Sequence, residues 1–242
     1  MLLAENNRSK AYLQNLIKNK FIPESVILLY DNDINLPENT KFDIGIHKLQ
    51  KLPLIRKCQE VAIEFNERET VKSTLDKYQI QTKIIRTLNI NSDEVVKSVQ
   101  NLPTDYVVYS GPGGSLLRKD LLSTGKHFLH VHPGVLPNFK GSTTIYYSLL
   151  EKKSVGASVI ILKQKIDCGP ILFIQKYKHE TTDDLDRVFD PCLRARTLIN
   201  FFTVNVNKKI KPLQIENTIE GRTYYIIHPL LKHLSILKST KI

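Results

Sequence analysis

Short runs of aliphatic residues alternating with helical stretches constrain this chain more than any other feature. Residues 26–30 (VILLY), 105–109 (DYVVY) and 127–132 (HFLHVH) have strand length and little polar interruption, the pattern of strands buried on both faces of a parallel sheet. Residues 1–4 predict a short opening strand. Residues 8–17 carry Ala11, Leu13, Leu16 and Ile17 at helical spacing, with Ser9 as the expected N-cap. Further on, the pattern predicts helix over 70–78, strand over 83–86, a helix from Ser92 to Leu102, and helix over 116–123. Strand, helix, strand, helix with tight links predicts an α/β fold: a mainly parallel twisted sheet flanked by helices. Residues 31–57 are polar, contain proline and give no assignment. After Ser142 we expect a helix over 143–151, strands over 157–162 and 171–177 joined by a turn at Asp167, and a helix opening at Thr182 with acids in its first turn. The expected organisation is one catalytic unit over residues 1–213. A short C-terminal strand-and-helix extension over 214–242 would not be an independent domain.

The composition narrows the function classes. With 242 residues, 41% of them apolar and 24% charged, the chain has material for one large α/β domain. No apolar run reaches the roughly 18 to 20 residues of a membrane span. The opening MLLAENNRSK lacks the basic stretch and long apolar block of a secretory signal. Cys58, Cys168 and Cys192 lie far apart without paired spacing, against a disulfide framework or a zinc site and for a reducing cytoplasm. The net charge of +11 is spread along the chain. It reads chiefly as solvated surface, with a positive cleft for a small anionic substrate as the functional alternative. No nucleic-acid recognition motif is present, so neither nucleic acid nor membrane is expected as a partner. Nothing here speaks against a homodimer.

The chemistry concentrates between residues 130 and 169. His130 and His132 stand at i and i+2 at the end of an apolar run, so a strand would point both to one face. A Pro/Gly-rich loop follows, and Asp167 ends a second apolar stretch. Two imidazoles and an acid suit proton transfer at an amine or carbonyl. A His-x-His pair with an acid also suits a metal. No third strong ligand is evident, and His127 would face away, so no metal is expected. Asn6, Asn7, Arg8 and Ser9 fall at the first strand-to-helix turn, where helix N-termini bind phosphate in many α/β proteins. Residues 111–114 (GPGG) lack the ending of a phosphate loop and read as a turn.

The segment His130-Val-His132-Pro133-Gly134-Val-Leu136-Pro137, with Lys140-Gly141 and then Asp167-Cys-Gly169, resembles the signature of the folate-dependent formyltransferases. That group includes glycinamide ribonucleotide, methionyl-tRNA and nucleotide-sugar N-formyltransferases. The resemblance implies a Rossmann-like formyltransferase fold and 10-formyltetrahydrofolate as co-substrate. It gives His132 the proton-shuttle role and Asp167 the orienting acid. Ser115, Leu116 and Leu117 look like the hinge lining the pterin pocket, with Ile166 beside them. Arg8, Ser9 and Lys140 would meet the substrate. The chain departs from the family at position 130, where His replaces Asn, and at 134, where Gly replaces Ser. His130 is expected to serve as oxyanion donor, provided neighbours set its tautomer. Residues 221–229 look like the tail of sugar-modifying members, so an amino sugar carried on a nucleotide is the expected acceptor. The chain looks too short for the appended tRNA-reading domain of methionyl-tRNA members. A phosphorylated purine precursor is the second choice. A hydrolase of the donor and a folate-binding module without turnover are the rivals from other classes.

Overall fold

The computed structural model describes residues 1–30, 53–152, 154–178, 184–213 and 221–239. The aliphatic runs pair where the pattern places them. Strands β1 (Leu2–Ala4), β2 (Ser25–Leu29), β5 (Gln81–Ile85), β6 (Tyr106–Ser110) and β7 (His127–His132) are mutually parallel. An antiparallel hairpin, β9 (Ser154–Ile161) and β10 (Ile171–Lys178), joins the β7 edge. The order across this seven-stranded sheet is β10-β9-β7-β6-β1-β2-β5. The order reverses at β1, and open α/β sheets commonly bind ligands beyond the carboxyl ends of the strands at such a reversal.

Helices cover both faces. On one lie α1 (Asn7–Lys18), α5 (Thr144–Lys152) and α6 (Asp190–Asn205), packed through Tyr12, Leu16, Ile145, Leu149, Leu198 and Phe201, all nearly sealed from solvent. On the other, α3 (Asp93–Gln100) and α4 (Lys119–Leu122) cover Leu2, Ile27, Val107 and Phe128. A third cluster packs α2 (Val71–Lys77) under β2 through Val71, Leu75 and Leu28. Each such aliphatic or aromatic side chain stabilises the fold by roughly 1.5 to 3 kcal/mol on burial.

Several boundaries and one cap differ from expectation. Asn6 caps α1, its Oδ1 accepting from the Ser9 N–H at 2.9 Å. Ser9 itself donates inward to the Ser110 carbonyl at 2.9 Å. The predicted helix over 116–123 contracts to α4. At the end of the unassigned stretch and beyond it lies an antiparallel hairpin that the pattern does not predict, β3 (Ile55–Cys58) with β4 (Ile63–Asn66), which packs on α1. The helix expected from Thr182 begins, among the described residues, as a π-turn over Leu185–Phe189 capped by Asp184; Thr182 lies outside them. In the C-terminal segment, β11 (Arg222–Tyr224) pairs with the three-residue β8 (Phe139–Gly141), and α7 (Pro229–Ser239) packs on α5.

Candidate active site

β7 delivers His130 and His132 to the carboxyl edge of the sheet, as their spacing predicts, but the two rings meet different surroundings. His132 is 2% exposed. Its Nε2 lies 2.6 Å from the Phe139 carbonyl and its Nδ1 lies 3.3 Å from Asp167 Oδ2. A carbonyl can only accept, so Nε2 carries the proton and Nδ1 presents its lone pair to the carboxylate. One further proton fits between Nδ1 and Asp167. Burial pushes the His132 pKa down, with Arg194 acting in the same direction, while Asp167 and the Phe139 carbonyl oppose that shift.

Asp167 occupies the connection between β9 and β10, with φ 49°, and folds back from that hairpin to reach β7. Its Oδ2 also accepts from the Gly141 N–H at 2.8 Å. Two residues of β8 thus grip the pair, one on each side. Gly134 makes room for this arrangement. A Cβ there would stand 2.5 Å from the Phe139 carbonyl oxygen and 2.8 Å from His132 Nε2.

His130 and Asp167 line a cleft of about 110 Å³ together with Tyr109, Ser115, Leu116, Leu117, Leu162 and Ile166. His132 stands behind Asp167, away from the cleft wall. The four residues expected to hold the pterin are all on this wall, and Leu116 and Ile166 stay largely open to solvent. Apolar walls with few polar groups suit a flat, heteroaromatic ligand. His130 Nδ1 is buried with no hydrogen-bond partner, and so is the Tyr109 hydroxyl; the two rings lie 6.2 Å apart. An unpaired buried polar atom costs about 1 to 3 kcal/mol, a cost that a bound ligand would remove. Burial first, then Arg194, Arg8 and His132, hold His130 well below the ordinary imidazole range, so its ring is neutral at pH 7.

The expected substrate contacts fare differently. Arg8 is spent on the protein itself, its Nε donating to Ser110 Oγ at 2.9 Å and its Nη2 to the Gly111 carbonyl at 2.7 Å. Ser9 is fully buried. Both side chains are engaged within the protein, so the structure does not present Arg8 and Ser9 as an open phosphate site. Lys140 lies on β8 opposite Thr223, outside the cleft. Sequence reasoning missed Arg194, which donates to the Val131 carbonyl at 3.0 Å and pairs with Asp190 at 2.8 Å. The only trace in the sequence is the i,i+4 acid–base spacing, which says nothing of the histidines. A larger hollow of about 260 Å³ at the opposite sheet edge, among Phe21, Ile22, Tyr106 and Phe202, brings no comparable set of groups together.

The formyl transferase family profile matches residues 60–196, and the chain belongs to that family. The methionyl-tRNA formyltransferase of Finegoldia magna is 27% identical over 86% of this chain and 63% of its own length. That of Bacillus velezensis is 26% identical over 60% of this chain and 46% of its own. The chain therefore spans less than two thirds of these curated relatives. In three dimensions it resembles a sugar N-formyltransferase from Shewanella sp FDAARGOS_354, with TM-score 0.51, 16% identity, and coverage of 98% of this chain and 86% of that one. It also resembles the phosphoribosylglycinamide formyltransferase of Anaplasma phagocytophilum, with TM-score 0.55, 15% identity, and coverage of 93% and 97%. The Rossmann-like formyltransferase fold is shared. Among the described residues, no helix is long and apolar enough to cross a membrane.

Proposed function

We propose that this chain transfers a formyl group from 10-formyltetrahydrofolate to the amine of a small acceptor. The observation that carries the reading is the single cleft in which His130 and Asp167 meet Ser115, Leu116, Leu117 and Ile166, with His132 hydrogen-bonded behind Asp167. The pterin lies between the Leu116 and Ile166 walls. The amine nitrogen attacks the formyl carbon, the C–N bond to it forms, and the carbonyl oxygen becomes an oxyanion. An N–H of the His130 ring donates to that oxygen, a contact of the kind worth about 3 kcal/mol in the transition state. The proton that the attacking amine sheds passes to Asp167 and settles between Asp167 and His132 Nδ1. It returns to the departing folate nitrogen as the C–N bond to the donor breaks. Asp167 is then the group that touches the reacting atoms, and His132 the partner that holds the proton. In this scheme residues 1–213 form the catalytic unit and 214–242 an extension of it.

For the acceptor we favour an amino sugar carried on a nucleotide, on the likeness of residues 221–229 to the tail of sugar-modifying members. The curated relatives act, by their names, on methionyl-tRNA, which makes that aminoacyl amine the second reading. The test incubates the protein with 10-formyltetrahydrofolate alone, with a panel of amino-sugar nucleotides, with glycinamide ribonucleotide, and with methionyl-tRNA. Donor loss that requires an amino-sugar nucleotide supports the proposal. Loss requiring one of the other amines replaces the acceptor. Loss without any amine indicates hydrolysis, and donor binding without loss a module that has given up transfer; either sinks the proposal.

A further inference from the structure

The C-terminal segment runs alongside the loop that holds the His132–Asp167 pair. β11 lies parallel to β8, with Arg222 opposite Phe139, Thr223 opposite Lys140 and Tyr224 opposite Gly141. The contact continues past the strand. The Ser142 N–H donates to the Tyr224 carbonyl at 2.9 Å. The Thr143 hydroxyl donates to the Tyr225 carbonyl at 3.3 Å and accepts from the Ile227 N–H at 3.0 Å. The Tyr224 ring stacks on Phe139 at 5.5 Å and 16° and meets Tyr147 at 4.5 Å. Its hydroxyl donates to Glu151 at 2.6 Å.

The same β8 residues carry the two bonds that set the pair. The Phe139 carbonyl accepts from His132 Nε2, and the Gly141 N–H donates to Asp167. Among the described residues β8 has β11 as its sole ladder partner, and three residues without a partner strand have little to fix their geometry. The fit is close at Gly221, where a Cβ would run into the Pro137 carbonyl.

We propose that the strap of residues 221–227 is a positioning element of the transfer site, with Tyr224 as its main positioning residue. It acts by fixing the Phe139 carbonyl and Gly141 N–H that orient His132 and Asp167. The proposal rests on the transfer reading given above. The strap meets the loop along β8 and at Ser142 and Thr143, and none of its residues lines the cleft, so its loss loosens the pair without removing any group that touches the donor. Misplacement by about 1 Å is enough to cost on the order of a hundredfold in rate.

The test compares Tyr224→Ala, Gly221→Ala and Tyr224→Phe in the full chain. It reads kcat and KM for 10-formyltetrahydrofolate, and the imidazole nitrogen NMR signals of His132, assigned with His132→Gln. Tyr224→Ala and Gly221→Ala should lower kcat at least about tenfold, keep KM for the donor within about threefold, and weaken the Nε2–H signature of His132. Tyr224→Phe keeps the stacked ring and should stay within about twofold of wild type in kcat. If Gly221→Ala does not fold, Tyr224→Ala and the milder Tyr224→Leu decide by the same readouts. An unchanged His132 signal in these variants overturns the proposal, as does a change confined to KM. The NMR signal judges the strap whatever the reaction proves to be. Full turnover in His132→Gln would instead overturn the transfer chemistry.

Discussion

A buried imidazole wedged between a backbone carbonyl and a carboxylate has one tautomer open to it, and that constraint organises the site at the scale of single residues. His132→Ala removes the proton-holding partner and should lower turnover by at least about a hundredfold, as loss of general acid–base help does; steady-state kinetics of donor consumption check it. His130→Ala should also lose activity, while His130→Asn, which restores an N–H donor, should recover most of it. Gly134→Ala drives a methyl against the Phe139 carbonyl and His132 Nε2. It should cost about 1 to 3 kcal/mol of stability, as overpacking does, and reduce turnover at least about tenfold; urea denaturation and the same assay measure both. His130 supplies a pH dependence. Its folded pKa lies well below the unfolded value near 6.5, so below that pH the unfolded chain binds a proton that the folded chain does not. Stability from this group is therefore lost as pH falls from 7 towards 5. His130→Asn should flatten the fall in Tm over that range; an unchanged slope would contradict the assignment. Of these residues, the His-x-His spacing made the two rings visible in the sequence, and the short motif around Asp167 made the acid visible. The grip of Phe139 and Gly141 was not visible, because it is made by backbone atoms. Nor was Arg194, which reaches β7 from a helix more than sixty residues away.

Among the elements, the parallel strands β1, β2 and β6 were legible because apolar residues fill nearly their whole lengths. The hairpin of β3 and β4 was not, since IRKC and IEFN mix charge with apolar residues over four positions each. What holds that hairpin is a side chain. Glu67, just after β4, accepts from Asn7 at 2.8 Å, from Arg56 at 2.5 Å and from Arg187, tying together the hairpin, the start of α1 and the π-turn. Burial alone would raise the Glu67 pKa, but the bonds from Arg187, Asn7 and Arg56 outweigh it and bring the value to about 2. This carboxylate therefore stabilises the fold above the unfolded value near 4.5, and the contribution is lost as pH falls towards 2. Because Arg187 is more than half exposed, solvent screening reduces the gain, and Glu67→Gln should cost about 1 to 3 kcal/mol at pH 7. Denaturant titration at pH 7 and pH 3 checks it: the difference between variant and wild type should shrink at the lower pH. The caps show a subtler limit of the sequence. Asn6 and Ser9 are both good N-caps, and only the buried contact of Ser9 with Ser110 decides between them.

At the scale of the whole molecule, strand order reverses at β1, where open α/β sheets commonly bind ligands, but the Arg8 and Ser9 side chains there are engaged within the protein. The candidate cleft lies one strand along, where the antiparallel β9–β10 hairpin sends its connection back over β7 and brings Asp167 into reach. A parallel sheet with an antiparallel edge thus assembles a cleft from residues between Tyr109 and Asp167 in the chain. In the proposed reaction Asp167, backed by His132, takes the proton from the attacking amine in a cleft that holds the formyl donor. The measurement that tests it most directly is single-turnover consumption of 10-formyltetrahydrofolate by Asp167→Asn, with the preferred amine present and donor affinity measured alongside. Donor binding should stay within about fivefold of wild type while the rate falls at least about a hundredfold. Turnover within about twofold of wild type, with the donor still bound, would contradict it.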